Sequence, residues 1–179
     1  MGNKEIERKF LITDQSLKLH GIDDAIVPIP RKHILQGYLM SDGKTFVRLR
    51  RETLTDNSNV VWSDAYYLTV KGPGSPSRPE HETIMPKACF TEMWPAFESI
   101  TIEKKRYELH DDNNTPIFLD TYDFYLAKSV HVIAEVEFRT LEECYAYVPL
   151  KWFGREVTHD KKYSNYQLAY NIYKSKKTK

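Results

Sequence analysis

Cysteine is scarce in this chain of 179 residues: Cys89 and Cys144 are the two present. They make no disulfide framework and no metal-ligand spacing, which excludes a zinc- or disulfide-stapled scaffold and fits a reducing compartment. Both read as small packing residues. An excess of one charge is also missing, since 26 Lys and Arg face 25 Asp and Glu for a net charge of +1. Nucleic acid is therefore not an expected partner, and any affinity for a polyanion must come from local placement. No apolar run approaches the about 20 residues that span a bilayer, and no apolar signal region precedes the first charged segment. The expectation is a cytoplasmic protein with no membrane partner. Two suggestive motifs lack a required residue. Met1-Gly2-Asn3 opens like a myristoylation signal but has Ile6 where Ser or Thr belongs. Gly43-Lys44-Thr45 ends like a phosphate-binding P-loop but has Tyr38 where the first glycine belongs.

What is present is charge in a strand rhythm. Glu5, Glu7 and Lys9 fall on every second residue, so in a strand they share one face about 7 Å apart while Ile6 and Phe10 take the other. Alone, that pattern describes a half-buried antiparallel strand with a wet face. Its recurrence changes the reading: same-sign pairs return as Arg48/Arg50, Glu80/Glu82, Lys104/Arg106 and Glu135/Glu137. Two like charges about 7 Å apart repel by about 0.6 kcal/mol in water but about 2.4 kcal/mol at an effective dielectric of 20. A surface tolerates such pairs; an enclosed site needs counter-charges.

In chain order, a short helix is expected from Thr13 to His20 with Gly21 as its C-cap. A strand at Ile34–Met40 turns at Asp42-Gly43 into another at Phe46–Arg51. Glu52 to Asp64 reads as a long polar connection, Ala65 to Lys71 as a strand, and the breaker-rich Gly72 to Pro79 as a loop. Glu80 to Met85 resumes the alternation. Pro86 to Ser99 reads as a helix with Phe90, Met93, Trp94 and Phe97 in the core, kinked or limited by Pro95. Three strands follow at Ile100–Leu109, Ile117–Leu126 and Val130–Arg139, the last two separated by Ala127-Lys128-Ser129. Thr140 with Glu143, and Ser164 with Gln167, are capping boxes opening two helices, the second with Tyr166, Tyr170 and Tyr173 on one side. With no internal repeat, this makes one α+β domain over residues 1–173, built on about eight antiparallel strands closed as a barrel or split into two sheets, plus a basic, frayed tail at 174–179.

Were the paired faces to point inward, Glu5, Glu7, Glu80, Glu82, Glu135 and Glu137 would confront Lys9, Arg48, Arg50, Lys71, Lys104 and Arg106. Clustered carboxylates suit Mg²⁺ or Mn²⁺, and guanidinium pairs match phosphate oxygens. Such an interior calls for a metal and a polyphosphate to neutralise it.

The ordered series Glu5-x-Glu7-x-Lys9, Arg48-x-Arg50, Lys71, Lys104-x-Arg106, Ala134-Glu135-Val136-Glu137-Phe138, Gly154-Arg155-Glu156-Val157-Thr158 and Tyr163-Ser164-Asn165 resembles the CYTH superfamily, also called triphosphate tunnel metalloenzymes, from residue 5 to about 170. The resemblance implies an eight-stranded antiparallel β-barrel forming a tunnel, with flanking helices, that binds a triphosphate-containing small molecule and divalent metal. Members include inorganic and thiamine triphosphatases, class IV adenylate cyclases and RNA triphosphatases. Carried over by position, Glu5, Glu7, Glu135 and Glu137 are the metal-side carboxylates. Lys9, Arg48, Arg50, Lys71, Lys104 and Arg106 hold phosphate oxygens, and Glu80, Glu82 and Asp120 are further acidic tunnel positions. Lys104, as an assistant to the attacking water, and Glu137 are the candidate catalytic groups. The leading expectation is metal-dependent hydrolysis of inorganic triphosphate or a small organic one; a cyclase making cyclic AMP, or a polyphosphate-binding module without turnover, are the alternatives. The tunnel positions are almost all charged, so the phosphate chain should dominate recognition, with Trp62, Tyr66 or Tyr67 as the aromatics able to wall in a ring.

Overall fold

The computed structural model describes residues 4–19, 31–40, 45–55, 61–126 and 130–178, with only the backbone at Leu19, Arg31 and Met40. Eight strands close into one barrel: β1 (Lys4–Thr13), β2 (Arg31–Met40), β3 (Phe46–Thr55), β4 (Val61–Lys71), β5 (Ser77–Ile84), β6 (Thr101–His110), β7 (Pro116–Thr121) and β8 (Val130–Glu137). Around the barrel they run β1-β5-β4-β3-β2-β6-β7-β8, and every neighbouring pair is antiparallel. Among the described residues four helices flank it: α1 (Asp14–Leu19), α2 (Lys87–Met93), α3 (Leu141–Ala146) and α4 (Asn165–Lys177). Closure leaves no unpaired sheet edge.

Period-two alternation then sorts the side chains. Outward residues of β1, β6, β7 and β8, among them Phe10, Ile12, Tyr107, Leu119, Val132 and Val136, form a buried layer under Leu150, Trp152 and Phe153. Outward Leu49 and Tyr66 pack beneath Phe90 and Phe97. Gly37 permits that approach, because a Cβ there would lie 2.7 Å from the Phe97 carbonyl oxygen. Inward faces divide in two along the barrel. One half is charged. In the other, Leu11, Tyr38, Ile102, Tyr122 and Ile133 join Leu168 and Ala169 of α4 in one apolar cluster, so α4 fills that end. Each such fully buried aliphatic side chain contributes on the order of 1.5–3 kcal/mol.

Several sequence boundaries move. The expected connection from Glu52 to Asp64 is mostly ladder: β3 continues to Thr55 and β4 begins at Val61, with Thr53 opposite Asp64 and donating its hydroxyl to that carboxylate at 2.5 Å. Backbone pairing and a polar cross-strand bond hold it where apolar alternation is absent. The loop after Lys71 ends sooner, since Ser77, Arg78 and Pro79 pair with Ile6, Glu5 and Lys4 at the start of β1. The Pro86–Ser99 helix is split into α2 and a 3-10 turn at Trp94–Ala96 that holds Pro95, and Met93 is exposed rather than core. The strand expected to reach Leu126 stops at Thr121, after which Leu126 N–H donates to the Val130 carbonyl. At both expected capping boxes the N-cap half forms, Thr140 accepting from Glu143 N–H and Ser164 from Gln167 N–H, while the Glu143 carboxylate accepts from Arg139 N–H and the Gln167 amide donates to Asn171. Helix α4 runs on to Lys177, where Lys174 and Lys177 lie over the Tyr170 and Tyr173 rings. The Gly21 cap, the Asp42-Gly43 turn and the 127–129 connection lie outside the described residues.

Candidate active site: a charged barrel chamber

The charged half of the barrel encloses a cavity of about 450 Å³. Among the described residues its lining brings together all twelve paired-face side chains expected from the sequence: Glu5, Glu7, Glu80, Glu82, Glu135 and Glu137 with Lys9, Arg48, Arg50, Lys71, Lys104 and Arg106. Asp120 lies behind the wall, fully buried, accepting from Lys104 Nζ and from Arg106 Nε at 2.7 Å and Nη2 at 2.8 Å. Lys4, Lys32, Glu52, Arg78, Tyr67, Phe118 and Asn165 also line the cavity. Tyr67 is among the aromatics expected to wall in a ring and Asn165 stands in the Tyr163-Ser164-Asn165 motif, whereas sequence reasoning passed over Lys4, Lys32, Glu52, Arg78 and Phe118 because they stand outside the same-sign pairs. Arg78 sits inside the breaker-rich segment 72–79, Glu52 lies just past the end expected for its strand, and Lys32 lies just before the start expected for its own. In all, nine cationic side chains face seven carboxylates around the lining.

Strand register explains the neighbours. Arg48 on β3 lies across from Thr69 on β4, which lies across from Glu82 on β5; Arg48 donates to the Thr69 hydroxyl at 3.0 Å and to Glu82 at 2.8 Å, and Arg50 to the other Glu82 oxygen at 2.8 Å. Arg48 Nε, buried, has no hydrogen-bond partner among the described residues, an open donor of the kind an anion satisfies. Lys71 bridges Glu5 at 2.7 Å and Glu80 at 2.9 Å. Lys9 lies between Glu7 at 3.1 Å and Glu135, and Arg106 also donates to Glu135.

These contacts set the charge states. Burial pushes Glu5 up, but Lys71 and Arg78 outweigh it and hold the carboxyl well below the usual range. Glu135, more deeply buried, is likewise held far down by Lys9 and Lys104. Glu137 goes the other way. Burial first and the Glu135 carboxylate second push it up to about 7, and among the described residues it makes no ion pair. Its register partner is another carboxylate, since Glu7 on β1 lies directly across from Glu137 on β8, where like charges destabilise a sheet. Burial and the Arg106 guanidinium pull Lys104 down to about 8, against the Asp120 carboxylate it donates to.

The donor set fits a hard divalent cation: carboxylate oxygens on adjacent strands, one of them pushed up to about 7 by burial and the Glu135 carboxylate, and, among the described residues, no thiol or imidazole in the lining. Among the described residues no three such groups already converge as a ready-made cation site, because most of the carboxylates are turned into ion pairs. Of the three aromatics expected near a ring-binding wall, Tyr67 lines the cavity, stacked with Arg50 at 4.8 Å. Tyr66 is buried on the outer face against Phe90, and Trp62 is exposed away from the lining.

A closed antiparallel barrel whose interior alternates rows of acid and base, filled by apolar packing at one end, defines a tunnel-type barrel built for a highly charged small ligand. The chain belongs to the CYTH domain family, whose pattern matches residues 3–162. It is 34% identical over 170 residues, 94% of this chain and 98% of the relative, to an inorganic triphosphatase of Nitrosomonas europaea. It is 33% identical over 176 residues, 96% of this chain and 97% of the relative, to one of Acetivibrio thermocellus. A crystal structure of an inorganic triphosphatase, 29% identical, superposes with a TM-score of 0.54 over 92% of this chain and 93% of that one. A putative adenylyl cyclase from Hippeastrum described as having a dominant triphosphatase activity, 11% identical with a TM-score of 0.53 over 79% of this chain and 82% of that one, shares the fold. Among the described residues no helix is long and apolar enough to cross a membrane.

Proposed function

We propose that this protein hydrolyses inorganic triphosphate in the barrel chamber with the help of a divalent cation, Mg²⁺ or Mn²⁺. The observation that carries the reading is the convergence of both charge signs in one cavity, nine cations against seven carboxylates, on a chain whose full-length relatives are inorganic triphosphatases. Hydrolysing a phosphoanhydride needs little covalent help; positioning and charge stabilisation supply most of the rate.

The residues divide by role. Lys9, Arg48, Arg50, Lys71, Lys104 and Arg106 hold phosphate oxygens, the guanidiniums by paired donors and the ammoniums as point charges. Glu5, Glu7, Glu135 and Glu137 hold the cation, which when bound neutralises charge on the phosphate oxygens and lowers the pKa of bound water. Glu80, Glu82 and Asp120 orient the cations that touch phosphate, through Lys71, Arg48, Arg50 and Arg106. Lys104 contacts phosphate while it is an ammonium; in its neutral form it accepts the proton of the attacking water. Its lowered pKa, about 8, keeps a usable fraction of neutral amine near physiological pH.

The direct test measures orthophosphate released from triphosphate in Mg²⁺ or Mn²⁺ and in excess chelator, with cyclic AMP assayed from ATP in parallel. Release that needs the cation, without cyclic AMP, is the expected result. Full release in chelator overturns the metal role; cyclic AMP as the main product replaces hydrolysis with the cyclase reaction.

A further inference from the structure

Arg78 belongs to none of the same-sign pairs, yet its guanidinium bridges the two glutamates that open the chain's charged series: Nε donates to Glu5, and Nη2 to Glu7 at 3.0 Å. The position follows from register, because Arg78 on β5 lies directly across from Glu5 on β1. Lys71 takes the other Glu5 oxygen, and Lys9 shares the same Glu7 oxygen. Both oxygens of Glu5 and one of Glu7 are thus occupied by the protein's own cations, while Glu137, across from Glu7, makes no ion pair among the described residues.

We propose that Arg78 is a counter-ion latch that couples metal to substrate: with the chamber empty it occupies Glu5 and Glu7, and on entry of a metal-bearing triphosphate it leaves those carboxylates to the cation and turns to a phosphate oxygen. The inference rests on the reading of the chamber as a triphosphate site. The physical argument is charge accounting. The lining already carries more cations than carboxylates, so a divalent ion that enters alone and takes Glu5, Glu7, Glu135 and Glu137, the last unpaired among the described residues, displaces Arg78 with no lining carboxylate left over to receive it. Arriving with a triphosphate, the same displacement is compensated, because the freed guanidinium gains a phosphate oxygen with charge-assisted geometry. Each ligand thereby removes the obstacle to the other, which makes their binding reciprocal and positively cooperative. No backbone movement is required; the fork changes partners within a quarter-exposed side chain.

The test uses Arg78→Gln and Arg78→Lys in the full chain, with calorimetric titration of Mn²⁺ alone, of a methylene-bridged triphosphate analogue alone, and of Mn²⁺ with the analogue present. For Arg78→Gln, Mn²⁺ alone should bind several-fold more tightly than to the parent, the analogue alone about tenfold or more weakly, and the factor by which the analogue tightens Mn²⁺ should shrink. Arg78→Lys, which keeps one charge but cannot bridge two carboxylates, should keep most of the analogue affinity while binding Mn²⁺ alone more tightly than the parent. If Arg78 were only structural, both affinities would fall together. Unchanged or weaker Mn²⁺ binding in Arg78→Lys overturns the latch, and that variant decides the matter should Arg78→Gln not fold. A parent protein that releases no orthophosphate refutes the hydrolase reading instead, and leaves the calorimetric comparison standing.

Discussion

Replacing Glu137 by Gln should stabilise the ligand-free protein in alkaline solution, although Glu137 is placed here among the metal ligands. Its carboxyl is raised from an ordinary 4.5 to about 7 by burial and the nearby Glu135 carboxylate. Between those two pH values the folded protein holds a proton that the unfolded chain has released. Stability from this position is therefore full below about pH 4.5, falls as pH rises, and is lost above pH 7. A shift of that size corresponds to at most about 3 kcal/mol. Glutamine keeps the shape and removes the charge but leaves a buried amide, so a gain of about 1–2 kcal/mol is expected at pH 8.5 in chelator. For a chain of this length that is a melting temperature higher by about 2–8 °C. Thermal unfolding followed at pH 8.5 and pH 4.5 measures it. The gain should shrink towards zero at the lower pH, and in saturating Mn²⁺ the order should reverse, because the parent gains more from the cation. A variant no more stable than its parent at pH 8.5, or a gain that persists unchanged at pH 4.5, refutes the reasoning.

Three further outcomes are expected. Arg48→Ala or Arg50→Ala should weaken triphosphate binding by about 1.5–3 kcal/mol, whereas Lys176→Ala, on the exposed end of α4, should leave it unchanged; equal effects in a binding titration would indicate diffuse attraction instead of a chamber. The kcat/KM for triphosphate should exceed that for ATP or thiamine triphosphate at fixed Mg²⁺, and a preference above about tenfold, or about 1.4 kcal/mol, for either organic substrate would point to Tyr67 and Phe118 as a ring-binding wall. With Lys104 at about 8 and acting as the neutral amine, kcat/KM should rise with pH until about 8 and then level; Lys104→Gln should lower activity and leave at most the rise near pH 7 that deprotonation of Glu137 gives, and a profile that falls through pH 8 would mean the ammonium is the working form.

Local patterning was enough to determine the rows of charge and the strands that carry them. Glu5-x-Glu7-x-Lys9 and its counterparts are legible because a pleated strand puts alternate residues on one face, and the two helix N-caps at Thr140 and Ser164 because they are bonds within four residues. The strand ends at Thr55, Val61 and Ser77 were not legible, since backbone ladders extend polar segments wherever a neighbour is available and hydropathy says nothing of that neighbour. What only the tertiary structure decided is which charges meet. Arg78 reaches Glu5 and Glu7 because β5 and β1 become neighbours on closure, though 73 positions separate Arg78 from Glu5 in the chain. Glu137 meets a carboxylate instead of a cation as its cross-strand neighbour because the register puts Glu7 across from it, and α4 fills one end through Leu168 and Ala169, which the tyrosine spacing alone did not reveal. Partner choice is a property of strand order and register, long-range quantities that depend on loop closure and on the packing of faces far apart in the chain.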